Sequence, residues 1–210
     1  LIYRQLLQWL GGIGIVVLVL AILPILGVGG MYLYKAETSS PIKDNKLSPR
    51  ITETAKSLWG VYLILTIICI ISYKIAGMNY FDAIGHSFST VSIGGFSTHN
   101  ESIGYYSSDY IKIICMAFMF LSALNFVLHF LFYKTKSFNN YFSNSEAKTF
   151  LAIIIGLLIL VFLFSIGGRL SSINNIDLIF HVFSFVTTSG FTVSDYNVWP
   201  TFIITLIFLS

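Results

Sequence analysis

Four long stretches of this chain carry no charged residue, and this feature limits what the chain can fold into. The stretches cover residues 5–34, 57–73, 113–133 and 149–168. A helix needs about 20 apolar residues to cross the hydrocarbon core of a bilayer, where backbone amides find no water to bond. Charged residues make up only 10% of the chain and hydrophobic residues 56%. The sequence therefore predicts an all-α polytopic membrane protein within the lipid bilayer.

The distribution of basic residues predicts which connections face the cytoplasm. Lys and Arg residues crowd two connections, whereas residues 77–109 and 170–210 contain no Lys or Arg. The crowded residues are Lys35, Lys43, Lys46, Arg50 and Lys56 in the first connection and Lys134, Lys136 and Lys148 in the second. Because loops rich in Lys and Arg stay on the cytoplasmic side, we place the two basic connections inside and the other stretches outside. Acidic Glu37, Asp44 and Glu53 interleave with the lysines, which argues against a nucleic-acid partner.

The sequence also contains an internal repeat. Residues 82–97 read Asp-Ala-Ile-Gly-His-Ser-Phe-Ser-Thr-Val-Ser-Ile-Gly-Gly-Phe-Ser. Residues 177–192 read Asp-Leu-Ile-Phe-His-Val-Phe-Ser-Phe-Val-Thr-Thr-Ser-Gly-Phe-Thr. At a constant offset the Asp, Ile, His, Phe, Ser, Val, Gly and Phe positions coincide. A charge-free run precedes each copy and an apolar run follows it, so the repeating unit is helix, short segment, helix.

Each short segment predicts a helix that enters the membrane without crossing it. The helical parts, about residues 82–92 and 177–187, are too short to span a bilayer, and each follows asparagines that suit a helix N-terminus. Irregular backbone at that depth is tolerated only where protein buries it or where it lines a water-filled cavity. A helix entering from outside points its partly negative C-terminus at the membrane centre, and backbone carbonyls coordinate the ion in potassium filters. The pattern favours a cation filter.

Two registers are open for this filter. Thr90-Val91-Ser92-Ile93-Gly94 is similar to the Thr-Val-Gly-Tyr-Gly pattern of potassium filters, and it makes Gly94 the last filter glycine. The internal repeat instead pairs Gly95 with Gly190, and we prefer it because it uses more positions. The predicted filter residues are then Ile93, Gly94, Gly95, Thr188, Ser189 and Gly190.

Several motifs carry a family resemblance along the whole chain. They are Gln8-Trp-Leu-Gly-Gly-Ile-Gly-Ile-Val-Val, Ile22-Leu-Pro-Ile-Leu-Gly-Val-Gly-Gly-Met, Phe81-Asp-Ala-Ile-Gly-His-Ser-Phe, Gly94-Gly-Phe-Ser-Thr-His and Phe185-Val-Thr-Thr-Ser-Gly-Phe-Thr. With these motifs the chain resembles TrkH-type potassium-uptake pore subunits of the Trk/Ktr/HKT superfamily. The resemblance implies uptake of potassium through one pore that four non-identical helix–pore-loop–helix repeats surround.

The resemblance also implies how this chain is divided. Residues 1–34 would be the last helix of repeat one, with a break expected at Pro24. Residues 35–57 would form a cytoplasmic connector, 58–133 a complete repeat, 134–149 a second connector, and 150–210 the front of repeat three, whose last helix starts near Pro200.

Partners and location follow from the same resemblance. It implies a multi-pass protein of the bacterial inner membrane, a homodimer of pore subunits, and a cytosolic nucleotide-binding regulatory subunit. Potassium is the transported ion, and no organic cofactor is expected.

Two other functions compete with the filter. One is an ion-coupled secondary carrier with broken helices at mid-membrane. The other is a haem protein with His86 and His181 as axial ligands, although each histidine follows an aspartate by one helical turn and a local Asp–His hydrogen bond is the simpler expectation. His129, inside an apolar run, is expected to bond between helices, and His99 to be a loop residue. The sequence contains no nucleophile–base pair, metal cluster or phosphate loop that indicates an enzyme.

Overall fold

The chain folds into helices joined by short turns. The structure is a computed structural model that describes residues 1–14, 51–165 and 174–194, and these residues contain no strand. The helices are α1 (Ile2–Trp9), α2 (Ile51–Ile75), α3 (Tyr80–Val91), α4 (Asp109–Ala123), α5 (Phe126–Thr135), α6 (Asn139–Ser143), α7 (Ser145–Phe164) and α8 (Asn175–Val186). The expected break at Pro24, most of the first connector and the helix near Pro200 lie outside the described residues.

Two of these helices are long and apolar enough to cross a membrane. The qualifying stretches are Ser57–Ile75 in α2 and Ser145–Leu163 in α7, and α4 together with α5 makes a third where the two count as one span. In contrast, α3 and α8 have 12 residues each. At 1.5 Å per residue they are about 18 Å long, well short of the roughly 30 Å hydrocarbon core. Each short helix thus follows a long apolar helix, α3 after α2 and α8 after α7, as the predicted repeat requires.

The apolar run over residues 113–133, predicted to be one helix, is divided between two helices, α4 and α5. The axes of α4 and α5 meet at an angle of 91° across the break at residues 124–125. Leu124 adopts an extended backbone conformation, and the Asn125 side chain accepts a hydrogen bond from the Val127 amide at 3.0 Å. An asparagine that caps a new helix competes with continuation of the old one. The absence of charge in this run gave no sign of the break.

His129 holds this bend in place. Its Nε2 donates to the Leu121 carbonyl at 2.8 Å, and its Nδ1 accepts from the Tyr141 hydroxyl of α6 at 2.7 Å. Leu121 lies in the last turn of α4, where carbonyls lack helical partners. The expectation that His129 bonds between helices is confirmed, and the bond serves the bend.

Three further features of the structure add detail to the predicted division of the chain. The helix that was expected to start at residue 58 starts at Ile51. The connector 134–149 contains the short helix α6. In the first run, Gly12 has non-helical backbone angles (φ −64°, ψ −139°), so the helix is interrupted well before Pro24. The Tyr62 hydroxyl donates to the Trp9 carbonyl at 2.9 Å and so satisfies a backbone group at this interruption.

The core surrounds the short helix α3, which packs against α1, α2 and α4. Aromatic and small apolar side chains from all of these helices are buried together with part of α8. They include Trp9, Tyr62, Cys69, Tyr73, Ala83, Cys115, Met119, Phe180 and Phe191. The unit that contains α3 is thus enclosed by protein on several sides, as non-spanning backbone inside a membrane requires.

The bend at residues 124–125 yields a stability prediction. Tyr141→Phe removes the hydroxyl that pairs with His129 Nδ1 and should lower stability by about 1 kcal/mol, the usual contribution of one hydrogen bond. Tyr133→Phe is the matched control, because Tyr133 is 72% exposed. The measurement is the midpoint of thermal unfolding in detergent. Equal midpoints for the two variants would contradict this role of His129.

Candidate functional site

The two copies of the internal repeat form the same local structure. Asn79 and Asn174 are the N-caps of α3 and α8, and the side chain of each accepts a hydrogen bond from a backbone amide in the first turn. Each helix continues into a short non-helical segment, which we call loop A (residues 92–97) after α3 and loop B (residues 187–192) after α8. The Gly94 amide donates to the Ser89 carbonyl at 2.7 Å, and the matching Ser189 amide donates to the Ser184 carbonyl at 2.9 Å.

The backbone angles of the loops also match position by position. Ile93 and Thr188 have φ values of 55° and 59°, and Gly95 and Gly190 have values of 66° and 79°. Positive φ is unusual for a β-branched residue such as isoleucine or threonine. Such strain occurs at functional sites more often than elsewhere. The pairing of Gly95 with Gly190 that the sequence repeat predicts is thus matched by the backbone.

Three of the six predicted residues, Gly95, Ser189 and Gly190, come together where the loops meet. A Cβ atom on Gly95 would lie 3.0 Å from the Ser189 carbonyl carbon and 3.2 Å from that of Gly190, distances that real Cβ atoms rarely show. At Gly190 a Cβ atom would meet nothing within 4 Å. Position 95 therefore requires glycine both for its positive φ and for the close approach of the loop B backbone. Position 190 requires glycine for its positive φ alone.

Loop A is supported from outside its own repeat by α1. Gln5 Nε2 donates to the Phe96 carbonyl at 2.9 Å, and the Gln8 side chain lies against Gly94. The Arg4 guanidinium lies 4.6 Å from the centre of the Phe96 ring. The supporting roles of Arg4, Gln5 and Gln8 were not predicted from the sequence. The available signal was two glutamines three residues apart in an otherwise apolar run, since this spacing puts both side chains on one helix face.

Loop B is supported differently. The Ser184 hydroxyl of α8 donates to the Phe191 carbonyl at 2.6 Å, so the same carbonyl position that Gln5 holds in loop A is held here from within the repeat. The Ser189 hydroxyl donates to Met119 Sδ at 2.8 Å, which links loop B to α4. The sequence repeat does not show this difference, because Ser89 and Ser184 are identical residues at matched positions.

The two matched histidines are buried and bonded to their own helices. His86 Nδ1 and His181 Nδ1 lie 2.8 and 2.7 Å from the carbonyls of Asp82 and Asp177. The expected Asp–His bond is therefore present, but it uses the backbone carbonyl and not the carboxylate. Because a carbonyl only accepts, Nδ1 of His86 carries the proton, and Nε2 accepts from the Ser97 hydroxyl at 2.9 Å. Both nitrogens of His86 are thus engaged, which disfavours the axial-ligand hypothesis.

Asp82 ties the chain beyond loop A back to the start of α3. Its carboxylate accepts hydrogen bonds from Thr98 Oγ1 at 2.5 Å, Asn79 Nδ2 at 2.8 Å, Tyr106 Oη at 2.8 Å and His99 Nε2 at 3.0 Å. His99, expected to be only a loop residue, belongs to this network. Burial by itself raises the pKa of Asp82, but these hydrogen bonds outweigh burial and lower the pKa to about 2. Asp82, which lies outside the candidate membrane spans, therefore keeps its negative charge at neutral pH.

Asp177, the matched residue of α8, has a partner from the preceding repeat. Lys112 Nζ of α4 lies 2.7 Å from Asp177 Oδ1 and 3.4 Å from Asp109 Oδ1. The Lys112 and Asp177 side chains are only 10% and 15% exposed, so solvent screens this pair little. Among the described residues, no group of three or more His, Cys, Asp and Glu side chains is placed to hold a metal ion.

Comparison with known proteins agrees with this architecture. The family model described as TrkH, cation transport protein, matches residues 1–210. The Trk system potassium uptake protein TrkH of Halomonas elongata is 52% identical over an alignment of 204 residues. The alignment covers 95% of this chain and 42% of that protein. The protein of the same name from Escherichia coli K12 is 47% identical over 215 residues, which cover 100% of this chain and 44% of that protein.

A solved structure agrees as well. The crystal structure of the potassium transporter TrkH from Vibrio parahaemolyticus matches with a TM-score of 0.78 and 41% identity, over 98% of this chain and 42% of that chain. The present chain thus spans less than half the length of the relatives it matches. The family model covers the whole chain, and the fold of this chain matches that of the solved transporter. This chain therefore belongs to the TrkH family of cation transport proteins.

Proposed function

We propose that the protein carrying this chain takes up potassium across the bacterial inner membrane through a filter of backbone carbonyls. Loops A and B are two of the filter segments in this proposal, and Ile93, Gly94, Gly95, Thr188, Ser189 and Gly190 line the ion path. The observation that carries it is the duplicated loop after a short helix, with left-handed residues at matched positions. The names of the similar proteins, which are potassium uptake proteins and a potassium transporter, support it.

The geometry suits a dehydrated monovalent cation. The C-terminal ends of α3 and α8 leave carbonyls without helical partners and carry a partial negative charge of about half an elementary charge each. Oxygen atoms at this depth replace water around the ion without placing a full charge in the membrane. Alternating right- and left-handed residues let the loop backbone change direction over few residues. The ionised Asp82 adds an attractive field for cations near the start of α3.

The assembly is part of the same proposal. Four loops of this kind, two of them outside this chain, would surround one pore. A homodimer of such subunits and a cytosolic nucleotide-binding regulatory partner follow from the family resemblance. The driving force is the membrane potential or coupling to another ion. The bend at residues 124–125 and the lysines of the connector after it would then face the cytoplasm.

An ion-coupled carrier is the second candidate, and one observation favours it. The α4–α5 helix is discontinuous, as helices at the substrate sites of secondary carriers often are. However, the Asn125 and His129 side chains form hydrogen bonds with the backbone at this break. These backbone groups are therefore already bonded and not open to a substrate. The duplicated loops favour the filter. Saturable flux at a fixed ion stoichiometry would support the carrier.

The first prediction from the proposed function concerns potassium uptake. In a bacterial strain without potassium transporters, the complete gene should restore growth at low external potassium. Gly95→Phe and Gly190→Phe should abolish this rescue, because each adds a ring to the proposed ion path and strains a positive φ. Leu7→Phe is the control, since Leu7 is 48% exposed on α1. Rescue by both glycine variants, with normal protein in the membrane, would remove these residues from the filter.

The second prediction concerns ion choice. Gly95→Ser and Gly190→Ser should weaken the discrimination of potassium against sodium, because a side chain displaces carbonyls from the coordinating geometry. Purified protein in liposomes, with potassium and sodium fluxes measured on the same preparation, gives the ratio. Unchanged ratios in both variants would contradict the filter assignment.

The third prediction separates the two glycines by stability. Gly190→Ala should cost about 1–2 kcal/mol, the penalty for a left-handed residue with a Cβ atom. Gly95→Ala should cost more, because its Cβ atom also meets the backbone of loop B. Gly60→Ala is the control, since a Cβ atom there meets nothing within 4 Å and alanine favours the helix. Thermal unfolding in detergent should rank Gly95→Ala lowest, and a reversed order of the two loop variants would contradict the contact between the loops.

A further inference from the structure

We propose that Gln5 and Gln8 of α1 are positioning residues that set the ion selectivity of loop A from outside the filter. This inference rests on the potassium filter proposed above. The two glutamines lie three residues apart and contact the residues on either side of Gly95. Gln5 Nε2 donates to the Phe96 carbonyl at 2.9 Å, and Gln8 packs on Gly94, where a Cβ atom would lie 3.2 Å from Gln8 Nε2. The backbone around Gly95 is thus held by two side chains of one helix.

The pore helix α3 contains a socket for one of these amides. Gln5 is only 1% exposed, and its side chain lies directly over Gly85. A Cβ atom on Gly85 would lie 3.1 Å from Gln5 Cδ and closer still to Oε1. Since glycine in a helix interior destabilises the helix by about 0.5–1 kcal/mol relative to alanine, its presence here has a reason in packing. The second copy of the repeat has Phe180 at the matched position, so this position does not carry glycine in both copies.

Comparison of the two loops shows what Gln5 replaces. In loop B the Ser184 hydroxyl donates to the Phe191 carbonyl at 2.6 Å. In loop A the matching Ser89 is buried, and its hydroxyl has no hydrogen-bond partner among the residues that the structure describes. The Phe96 carbonyl is held by Gln5 instead. The same carbonyl position is therefore fixed within the repeat in one loop and by the preceding repeat in the other.

This arrangement has a consequence for ion choice. A filter distinguishes potassium from sodium by the positions and mobility of its carbonyl oxygens. Without Gln5, the Phe96 carbonyl next to Gly95 loses its partner, and the loop gains freedom to close around a smaller ion. A residue that only stabilised the fold would change the amount of protein in the membrane and leave the flux ratio of the folded fraction unchanged.

The test uses the complete protein in liposomes, with potassium and sodium fluxes measured for each variant. Gln5→Met keeps the length of the side chain and removes the donor, and it should lower the potassium-to-sodium ratio roughly tenfold, equivalent to about 1.4 kcal/mol. Leu7→Met, on the exposed side of the same helix, should keep the ratio of the unmodified protein. An unmodified protein without potassium preference would refute the proposed function itself. A selective unmodified protein with an unchanged ratio in Gln5→Met would overturn only the role of Gln5.

A double-variant cycle tests whether Gly85 acts through Gln5. Gly85→Ala should displace the amide and reproduce the loss of selectivity, although alanine favours the helix. In the Gln5→Met background, Gly85→Ala should add little further loss, because the interaction it disturbs is already absent. Additive losses would overturn the proposal that Gly85 is the socket for Gln5. Gln8→Met should shift the ratio in the same direction, and no shift would remove Gln8 from the pair.

Discussion

Unpaired backbone in a membrane is the constraint on which this structure depends. Loops A and B leave helical geometry within a hydrophobic protein, where each unsatisfied amide or carbonyl costs several kcal/mol. Part of their backbone is bonded back to the last turn of the preceding helix, as the amides of Gly94 and Ser189 are. The carbonyls after the two glycines are held by side chains, Gln5 in loop A and Ser184 in loop B. In the proposed filter, the carbonyls without such a partner would be the ones that replace water around an ion. The side chains behind each loop would then select which of its oxygens face the ion path.

The supporting contacts run in one direction along the chain. Helix α1 packs on α3, and α4 packs on α8, so a helix that ends one repeat supports the short helix of the next. Lys112 of α4 pairs with Asp177 at the start of α8, and Met119 of the same helix bonds Ser189 in loop B. A buried ion pair adds little net stability once its desolvation is counted, but it fixes one geometry. Lys112 is thus better understood as setting the register between repeats than as a source of stability.

Much of the fold could be predicted from the sequence, because the signals are local. Charge-free runs gave the long helices, and the repeat gave two short helices whose loops match in φ at Ile93 and Thr188 as well as at the glycines. The bend at Asn125 was missed because apolar composition is the same in a straight and in a broken helix. The partners of loop A were missed for another reason. Gln5 and Phe96 are far apart in sequence, and only the packing of α1 on α3 brings them together. A sequence repeat identifies equivalent positions, but it does not show that equivalent carbonyls have different partners.

This difference bears on how a single-chain filter with non-identical repeats works. Four identical subunits give every carbonyl ring the same surroundings, whereas fused repeats allow each loop its own support. Loop B carries its support within α8 and through Met119, and loop A depends on α1. A movement of α1 relative to α3 would therefore reach loop A directly through Gln5 and Gln8, and loop B only through its contact with loop A. If the filter conducts as proposed, its segments respond separately to movements of the helices behind them, and loop A is the one most directly coupled to the preceding repeat.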